Sequence, residues 1–445
     1  MTLMTSPEPV VMGLHLLAPS PTGHLHTDAA WFERLRDQGR QHYADTGLPT
    51  RKVEDWKYTD LRPLGKMSFR APTEYEGHAA STLPAFSTET RPRPRVVFVN
   101  GMLRADLSTA NDVPHLTVSS LRAVLSAEGA AIEPYLGGLT DAHARSLSSL
   151  NTAMMSDGCV ICVSSGVVLE QPIDLIFLGG TAAGPVAYHP RVLIIVGEAS
   201  AATVLERHHG VGSETYFSNG VTEIFLSADA RLNHYKLQDE NQKAWHIARC
   251  SVAAERHAVY ENFVLTVGSQ LARHELNVQL NGPGANCRIG GSYLARGHQH
   301  ADLTSVIDHL AEETRSSEIF KGVVDGAARA VFQGRISVQR EAQRSEGYLL
   351  NKALLLSDSA EIDQKPELEI YADDVKCSHG AAAGQLDQDA LFYLRSRGLT
   401  DAVARRLLIE GFLAEAFETL SLDDVRAAFI DIALRWLNTQ DGDAE

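Results

Sequence analysis

The feature that most restricts the fold is a long run of short strand patterns between Val96 and Asp374. Segments such as Arg191–Val196 are mostly apolar, and others such as Leu232–Leu237 alternate between apolar and polar residues. Gly, Asn, Asp and Ser separate them, which is typical of strands joined by turns. A run of this length exceeds a usual β-sandwich, so it favours a β-solenoid or two β-domains.

Within this run, the segments that begin near Leu271, Cys287 and Ala301 share a layout of a turn, a small or polar residue and a strand. Successive starts lie 16 and 14 residues apart, so the register of the repeat is loose. Such spacing suits a sandwich as well as a solenoid. The periodicity alone therefore does not choose between the two folds.

Changes in composition divide the chain into three regions. The sequence predicts an N-terminal helical region and linker over residues 1–95, a β core over residues 96–380 and a C-terminal helical domain over residues 381–445. The linker is a polar stretch that contains Pro and Thr. In the C-terminal region, Asp387 or Asp389, then Thr400, then Ser421 are predicted N-caps of three antiparallel helices with apolar stripes.

The composition excludes several classes of protein. Lys and Arg number 40 against 56 Asp and Glu, a net charge of −16, which repels phosphate backbones and disfavours nucleic-acid binding. No apolar run approaches the ~20 residues of a membrane span, and the N-terminus lacks the pattern of a secretory signal. Five scattered cysteines do not form a disulfide framework, so we expect free thiols in the reducing cytoplasm.

Compact catalytic motifs are also missing from the sequence. It contains no P-loop, no complete dinucleotide-binding glycine motif, no His-Glu-x-x-His and no Gly-x-Ser-x-Gly. ATP hydrolysis is therefore not expected of this chain, and another enzymatic activity would need residues scattered along the sequence.

His298 and His300 are candidate metal ligands because residues at i and i+2 share one face of a strand. Asp302 and His309 are nearby in sequence. The alternative is a solvated turn with one structural histidine, since the pattern does not identify a third ligand.

Two other pairs favour structural interpretations. Cys159 and Cys162 have CxxC spacing, but on a strand these positions face opposite ways, so we interpret them as small buried hydrophobic residues. His208 and His209 are adjacent and cannot share a strand face, so they are predicted at the surface.

The segment Lys52–Thr59 mixes aromatic and charged residues. It could stack on nucleic-acid bases, but the acidic net charge favours an anchor. In that interpretation Trp56 and Tyr58 pack against a helix end while Glu54 and Lys57 remain in water.

Cys377 and His379 lie where the strand patterns give way to helical ones. At i and i+2 they share a face if the strand persists, and thiolate and imidazole are ligand types found at iron–sulfur sites. Lys376 would favour the thiolate form of Cys377. Two ligands do not hold a cluster, so further ligands would come from elsewhere, including another chain. The alternative is an ordinary turn at a domain boundary.

The run that carries this pair is KCSHGAAAGQLDQDALFYLRSRG, from Lys376 to Gly398. It resembles the C-terminal signature of SufD-like members of the SufB/SufD family, which belongs to the SUF iron–sulfur cluster assembly machinery. Further segments look like other parts of the same family: Arg51–Leu61, Ser317–Val323, Val331–Val338 and Pro366–Val375.

The SufB branch of the family usually has Glu after the histidine of this motif and a cysteine in the following helix. This chain has Gly380 and Leu394 at those positions, so it is more similar to the SufD branch.

The resemblance implies a mainly β fold, a right-handed parallel β-helix flanked by N-terminal and C-terminal α-helical regions. It also implies a non-catalytic scaffold that pairs with a SufB-like paralogue through the β-helix and contributes to iron entry and nascent cluster formation. His379, with Cys377 beside it, would lie at that interface. The isolated chain would hold no tightly bound cofactor, iron or a cluster being transient in the complex, and it could form a homodimer.

The resemblance further implies that the C-terminal helices bind a SufC-like ATPase. The apolar stripe of these helices predicts contact residues at Leu407, Leu408, Phe412 and Phe417.

Two alternatives from other classes remain at this stage. A β-helix enzyme acting on carbohydrates would need clustered carboxylates, for which Asp302, Asp308 and Glu312 are candidates. A stand-alone metal protein would use His298, His300 and His309.

Overall fold

The computed structural model describes residues 12–17, 29–73, 93–109, 113–127, 129–139, 146–180 and 184–438. Within them the chain is mainly β, and its strands wind into a solenoid of about eight turns with helices on both the N-terminal and the C-terminal side. The predicted β-solenoid with flanking helical regions is therefore confirmed.

Two long sheets form the solenoid, and they are parallel apart from one antiparallel pair at the start of each. In spatial order, sheet I contains β2 (Met102–Leu103), β1 (Arg95–Val99), β5 (Ile173–Gly179), β8 (Ala201–Gly210), β10 (Arg231–Asp239), β12 (Val259–Thr266), β14 (Asn286–Ala295), β16 (Arg315–Val324), β18 (Glu346–Leu355) and β20 (Lys376–Gly384). Sheet II contains β19 (Glu361–Ile370), β17 (Arg329–Val338), β15 (His300–His309), β13 (Leu271–Leu280), β11 (Ala244–Ala254), β9 (Tyr216–Leu226), β7 (Arg191–Val196), β4 (Gly158–Val163) and β3 (Leu116–Ser120), and β6 (Val186–Tyr188) pairs with β9.

The helices are α1 (Ala30–Thr46), α2 (Leu121–Ala127), α3 (Gly129–Ile132), α4 (Ser146–Met154), α5 (Gln388–Ser396), α6 (Asp401–Phe417) and α7 (Asp423–Asn438). Short 3₁₀ turns occur at Leu14–Leu17, Glu54–Trp56 and Leu64–Lys66. In the part of the chain that the structure describes, none of the helices combines the length and the apolar character that crossing a bilayer requires.

The loose sequence repeat is explained by the two-sheet winding. Leu271 pairs with His300 in sheet II, whereas Cys287 lies between them in sequence and belongs to sheet I. Successive repeat segments therefore fall on alternate sheets, and one full turn contains two of them.

The main core lies between the sheets because every second side chain of each strand points inward. One inward row of sheet I runs through Ala202, Leu232, Tyr260 and Cys287, all buried in this core. Such rows stack apolar side chains from turn to turn, which stabilises the solenoid.

The CxxC pair follows the alternation of its strand. Cys159 is buried in the main core, while Cys162 packs on the opposite face of β4. Burial raises the pKa of both thiols. Their interpretation as structural hydrophobic residues is confirmed.

The outer face of sheet I is covered by the C-terminal helices α6 and α7. Phe417 stacks on Phe263 with ring centroids 5.4 Å apart. The predicted caps Asp387 and Thr400 accept hydrogen bonds from the first backbone N–H groups of α5 and α6. The prediction of Ser421 as an N-cap is wrong, because its hydroxyl donates to the Glu261 carboxylate on the sheet instead.

The outer face of sheet II anchors the segment Lys52–Thr59. Trp56 is buried there, and the Arg273 guanidinium lies 3.9 Å from the centroid of its ring. Arg273 is itself buried and pairs with Glu275 at 2.8 Å and with Asp302. The anchor interpretation holds for Trp56, but its docking surface is a sheet and not a helix end. A cation–π contact with a desolvated ion-pair network fixes the segment there.

Candidate functional site at the open end of the solenoid

The last turn of the solenoid ends in two edge strands. β19 pairs only with β17 in sheet II, and β20 pairs only with β18 in sheet I, so each has one side without a neighbouring strand in the described chain. We call this pair of edges the open end. Edge strands with free backbone groups are templates for pairing with another chain.

The side chains of β19 alternate sharply between the two faces. Ile362 and Leu368 pack toward the main core, whereas Asp363 and Lys365 point outward. Lys365 contacts Glu54 of the anchored N-terminal segment at 2.8 Å. The N-terminal segment therefore reaches the edge of the open end from outside.

Backbone hydrogen bonds show which amides face the open side. The Lys376 N–H donates to the Ser345 carbonyl, on the side of β18. Because the direction of N–H groups alternates along a strand, the N–H and C=O of Cys377 and His379 point away from β18. At the end of β19 the Tyr371 N–H points toward β17. The backbone N–H and C=O groups of the even-numbered residues of β19 therefore point to the open side. Among these is Pro366, whose missing N–H leaves no ladder bond broken.

Cys377 is half-buried against the main core, close to Gly347 of β18. It also lines a groove of about 520 Å³ on this part of sheet I. Burial raises the pKa of its thiol. The prediction that Lys376 favours the thiolate is wrong, since Lys376 lies on the opposite face of the strand, 86% exposed and 3.7 Å from Glu346.

His379 occupies the same face of β20 as Cys377, and it is exposed. Its partner in the strand register is Leu349, which is buried in the main core. The two predicted ligands therefore lie on the inward face of an edge strand, where a chain that extends the solenoid would meet them. This chain places a thiol and an imidazole there, which is an incomplete ligand set for a cluster.

A polar contact joins the two sheets beside this face. The side-chain amide of Gln364 on β19 donates to the Ala382 carbonyl on β20 at 3.3 Å and contacts Asn351 on β18. The Asn351 side chain in turn meets the Tyr293 hydroxyl. These hydrogen bonds hold the edges of the open end together.

The second predicted pair, His298 and His300, lines a groove of about 190 Å³ with Arg51, Tyr58 and Arg329. The His300 imidazole is already bonded to the Thr59 hydroxyl at 2.9 Å. Two guanidinium groups in the groove disfavour a cation. The groove thus holds a histidine that positions the N-terminal segment.

His309 does not join them, so the predicted three-histidine site is wrong. It lies at the other end of β15 from His300, about 30 Å away for nine residues of extended strand. Its ring nitrogens bond the Thr314 and Ser316 hydroxyls, both at 2.8 Å, inside the solenoid.

The carboxylates considered for a carbohydrate-active enzyme are also not brought together. Asp302 is buried in its ion pair with Arg273, and Glu312 is an exposed partner of Arg344 beyond the end of the strand. Asp302 and Asp308 are about 20 Å apart along β15. A pair of catalytic carboxyl groups needs a separation below about 10 Å, so Asp302 cannot pair with Asp308 in this way.

The four residues predicted to contact an ATPase have different surroundings. Leu407 is 41% exposed, but Leu408 and Phe412 pack partly against the core beneath the helices. Phe417 is 2% exposed, so its prediction as a surface contact is wrong. Apolar groups that do remain exposed are Phe392 and Tyr393 on α5, and Val403 beside Leu407 on α6.

Sequence reasoning missed a buried polar cluster between the sheets. His208, predicted at the surface, is 3% exposed and points inward with Glu206, while His209 is half-exposed beside Asp239. His234 and His246 are buried in the same cluster. The signal lay in the alternation of β8, where Val204, Glu206 and His208 occupy one face.

Comparison with known proteins places these features in a family. A sequence model described as "SUF system FeS cluster assembly, SufBD core domain" matches residues 177–412, and one described as "SufBD protein N-terminal region" matches residues 24–175. The chain is 33% identical to an iron–sulfur cluster assembly SufBD family protein of Synechocystis over 84% of both chains. It is 32% identical to the iron–sulfur cluster assembly protein SufD of Escherichia coli, over 86% of this chain and 88% of that one. It is 30% identical to the chloroplastic protein ABCI7 of Arabidopsis thaliana, over 92% and 86%.

Proposed function

Because this chain belongs to the SufBD family of the SUF iron–sulfur cluster assembly system, we propose that it is a non-catalytic, cytoplasmic scaffold subunit whose open end pairs with a SufB-like paralogue. Iron and the nascent cluster are its cargo. The cluster forms between the two chains, beside His379 and Cys377. A SufC-like ATPase binds the exposed face of the C-terminal helices. The observation that carries this proposal is the pair of edge strands with Cys377 and His379 on their inward face.

The open end favours pairing with another chain because its unpaired backbone groups and apolar side chains are otherwise exposed to water. The edges of β19 and β20 present backbone N–H and C=O groups that water must otherwise satisfy. Ile370 and Tyr371, 42% and 60% exposed, add apolar surface at the end of β19. A paralogue with the same winding can add strands to both edges at once, which combines β-augmentation with burial of this surface.

The interface also supports a site shared between two chains. One thiol with a pKa raised by burial and one exposed imidazole do not hold a cluster by themselves. A second chain at the open end can supply the missing ligands and its own charges. Building the site from two incomplete halves allows a movement driven by the ATPase to open and close it.

The surface available for the ATPase is smaller than the whole apolar stripe of the C-terminal helices, because part of that stripe is buried. Phe392 and Tyr393 are 74% and 56% exposed on α5, and Val403 and Leu407 are each 41% exposed on one face of α6. Phe417 and Leu413 are buried against sheet I and hold the helices in place. We therefore assign the ATPase contact to the exposed set, here called the helix patch: Phe392, Tyr393, Val403 and Leu407.

The scaffold proposal is tested by expressing the tagged chain together with the SufB-like and SufC-like proteins of the same organism. A complex that contains all three, with its mass determined in the native state, is the expected result. Recovery of the tagged chain without either partner would overturn the proposal.

Leu407→Glu is expected to reduce capture of the ATPase at least about tenfold, because a charge placed in an apolar contact must be desolvated. Ala402→Glu is the matched control, since Ala402 is exposed on the same helix but lies about 140° around the helix axis from Leu407. Capture of the paralogue should be unchanged in both variants. Equal ATPase capture by the two variants would contradict the assignment. Deleting the helices is a poorer test, because it would uncover the outer face of sheet I.

A further inference from the structure

The buried cluster between the sheets lies apart from the open end and has no part in the proposed function. It contains the carboxylates Glu206 and Glu240, four imidazoles, and Lys236, all largely removed from water. The imidazoles belong to His208, His234, His246 and His274. Buried polar groups are normally paired, so those that are not need an explanation.

Several nitrogen atoms of the cluster have no hydrogen-bond partner among the residues that the structure describes. They are His208 Nδ1, both ring nitrogens of His246, and His274 Nε2, each in a side chain at least nine-tenths buried. His246 Nδ1 lies 2.8 Å from Glu240 Oε2, but the direction of approach is not that of a hydrogen bond. One ligand atom each from His208, Glu240 and His246 lies within 4.8 Å of the other two.

We propose that His208, His246 and Glu240 form a binding site for a divalent transition-metal ion inside the solenoid. Two imidazoles and one carboxylate are the ligand set of many zinc and iron(II) sites. In a filled site, neighbouring ligand atoms lie about 3.3 Å apart. Rotations of the three side chains would close the 4.8 Å triangle onto an ion. His274, whose ring centroid lies 5.0 Å from that of His246, is placed to be a fourth ligand.

Other contacts in the cluster fix the tautomer of His208 and engage Glu206 and His234. His208 Nε2 lies 2.6 Å from Glu206 Oε1, so Nε2 carries the proton and Nδ1 keeps its lone pair. Glu206 is itself held by Lys236 and His234, both at 2.9 Å, and is therefore not available to the metal. His234 is excluded as a ligand too, because its other nitrogen contacts the Tyr260 hydroxyl at 3.1 Å.

Protonation and charge agree with this geometry. Burial, aided by the positive charge of Lys236, lowers the pKa of His208 to about 4, so its imidazole is neutral near pH 7. The Lys236 charge is compensated by Glu206. A neutral imidazole, as at His208, is the form that binds metal.

The site differs from the sequence-based expectation that the isolated chain holds no tightly bound cofactor. It does not depend on either partner, so a negative result here leaves the scaffold proposal intact. The test uses the full-length chain alone, purified without a polyhistidine tag, stripped of metal with a chelator and dialysed against Co²⁺. The absorption of bound Co²⁺ reports on its ligands and coordination number.

The natural chain is expected to bind about one Co²⁺ ion with the absorption of a site with nitrogen and oxygen ligands. Glu240→Gln and His246→Gln preserve side-chain size and should each weaken binding at least about tenfold. His309→Gln is the matched control, since His309 is a buried histidine of the same solenoid outside the cluster. Thermal unfolding of each variant checks that it is folded.

Two results would overturn the proposal. One is absence of bound Co²⁺ in the natural chain under anaerobic, chelator-free conditions. The other is binding to folded Glu240→Gln or His246→Gln with the affinity and absorption of the natural chain, which would place the ion elsewhere. If one of these variants does not fold, the other and the natural chain decide the result.

Discussion

Ala381→Pro is expected to leave the chain folded and to reduce capture of the SufB-like paralogue at least about tenfold. Ala381 lies on β20, and by the alternation fixed at Lys376 its N–H points to the open side. Proline removes that donor and places its ring where a partner strand would approach, while every bond between β18 and β20 is kept. Gly380 precedes it and tolerates the restriction that proline imposes.

Ala381→Ser is the matched control because it keeps the N–H at the open edge. Co-purification with the tagged chain measures capture, and thermal unfolding of the chain alone measures stability. Ala381→Pro should unfold within a few degrees of the natural chain, since it breaks no ladder bond. Full capture of the paralogue by a folded Ala381→Pro chain would show that β20 is not extended by the partner.

His379→Ala is expected to leave the three-protein complex intact while reducing the rate of cluster formation at least about tenfold. The imidazole is exposed on the inward face of β20 and makes no hydrogen bond that the described fold depends on. Its removal therefore takes away a ligand or a proton carrier without removing support from the solenoid. Cluster formation is measured by visible absorption after iron and a sulfur source are supplied to the purified complex.

Ser378→Ala controls for the local change, because Ser378 is the neighbouring residue on the opposite face of β20. Native mass measurement on both variants separates loss of assembly from loss of cluster formation. If the complex with His379→Ala forms the cluster as fast as the complex with the natural chain, His379 is not part of the site.

Local patterns in the sequence predicted much of the secondary structure. The caps Asp387 and Thr400 depend only on neighbouring residues, so they could be identified directly. Ser421 could not, because a carboxylate on a distant strand, Glu261, competes for its hydroxyl. The choice of a solenoid over a sandwich came from the family resemblance, since strand spacing is similar in both folds.

The residues of the candidate site could be predicted only where strand alternation was applied and the contacts were local in sequence. Alternation placed Cys377 and His379 on one face, and the same argument would have separated Lys376 from Cys377. His208 was assigned to the surface together with His209 because adjacent residues cannot share a strand face, although that argument still allows one of the two to point inward. Its partners Glu240 and His246 come from later strands, which the sequence alone does not bring together.

The most direct test of the shared interface is hydrogen exchange of the β20 amides, resolved by residue, with and without the SufB-like paralogue. The amides of Ser378 and Gly380 point to β18 and should be protected in both states. The amides of Cys377, His379 and Ala381 point to the open side, and their exchange should slow at least about tenfold when the paralogue binds. Unchanged exchange at these three amides, in a complex whose mass shows that both chains are present, would contradict pairing through the open end.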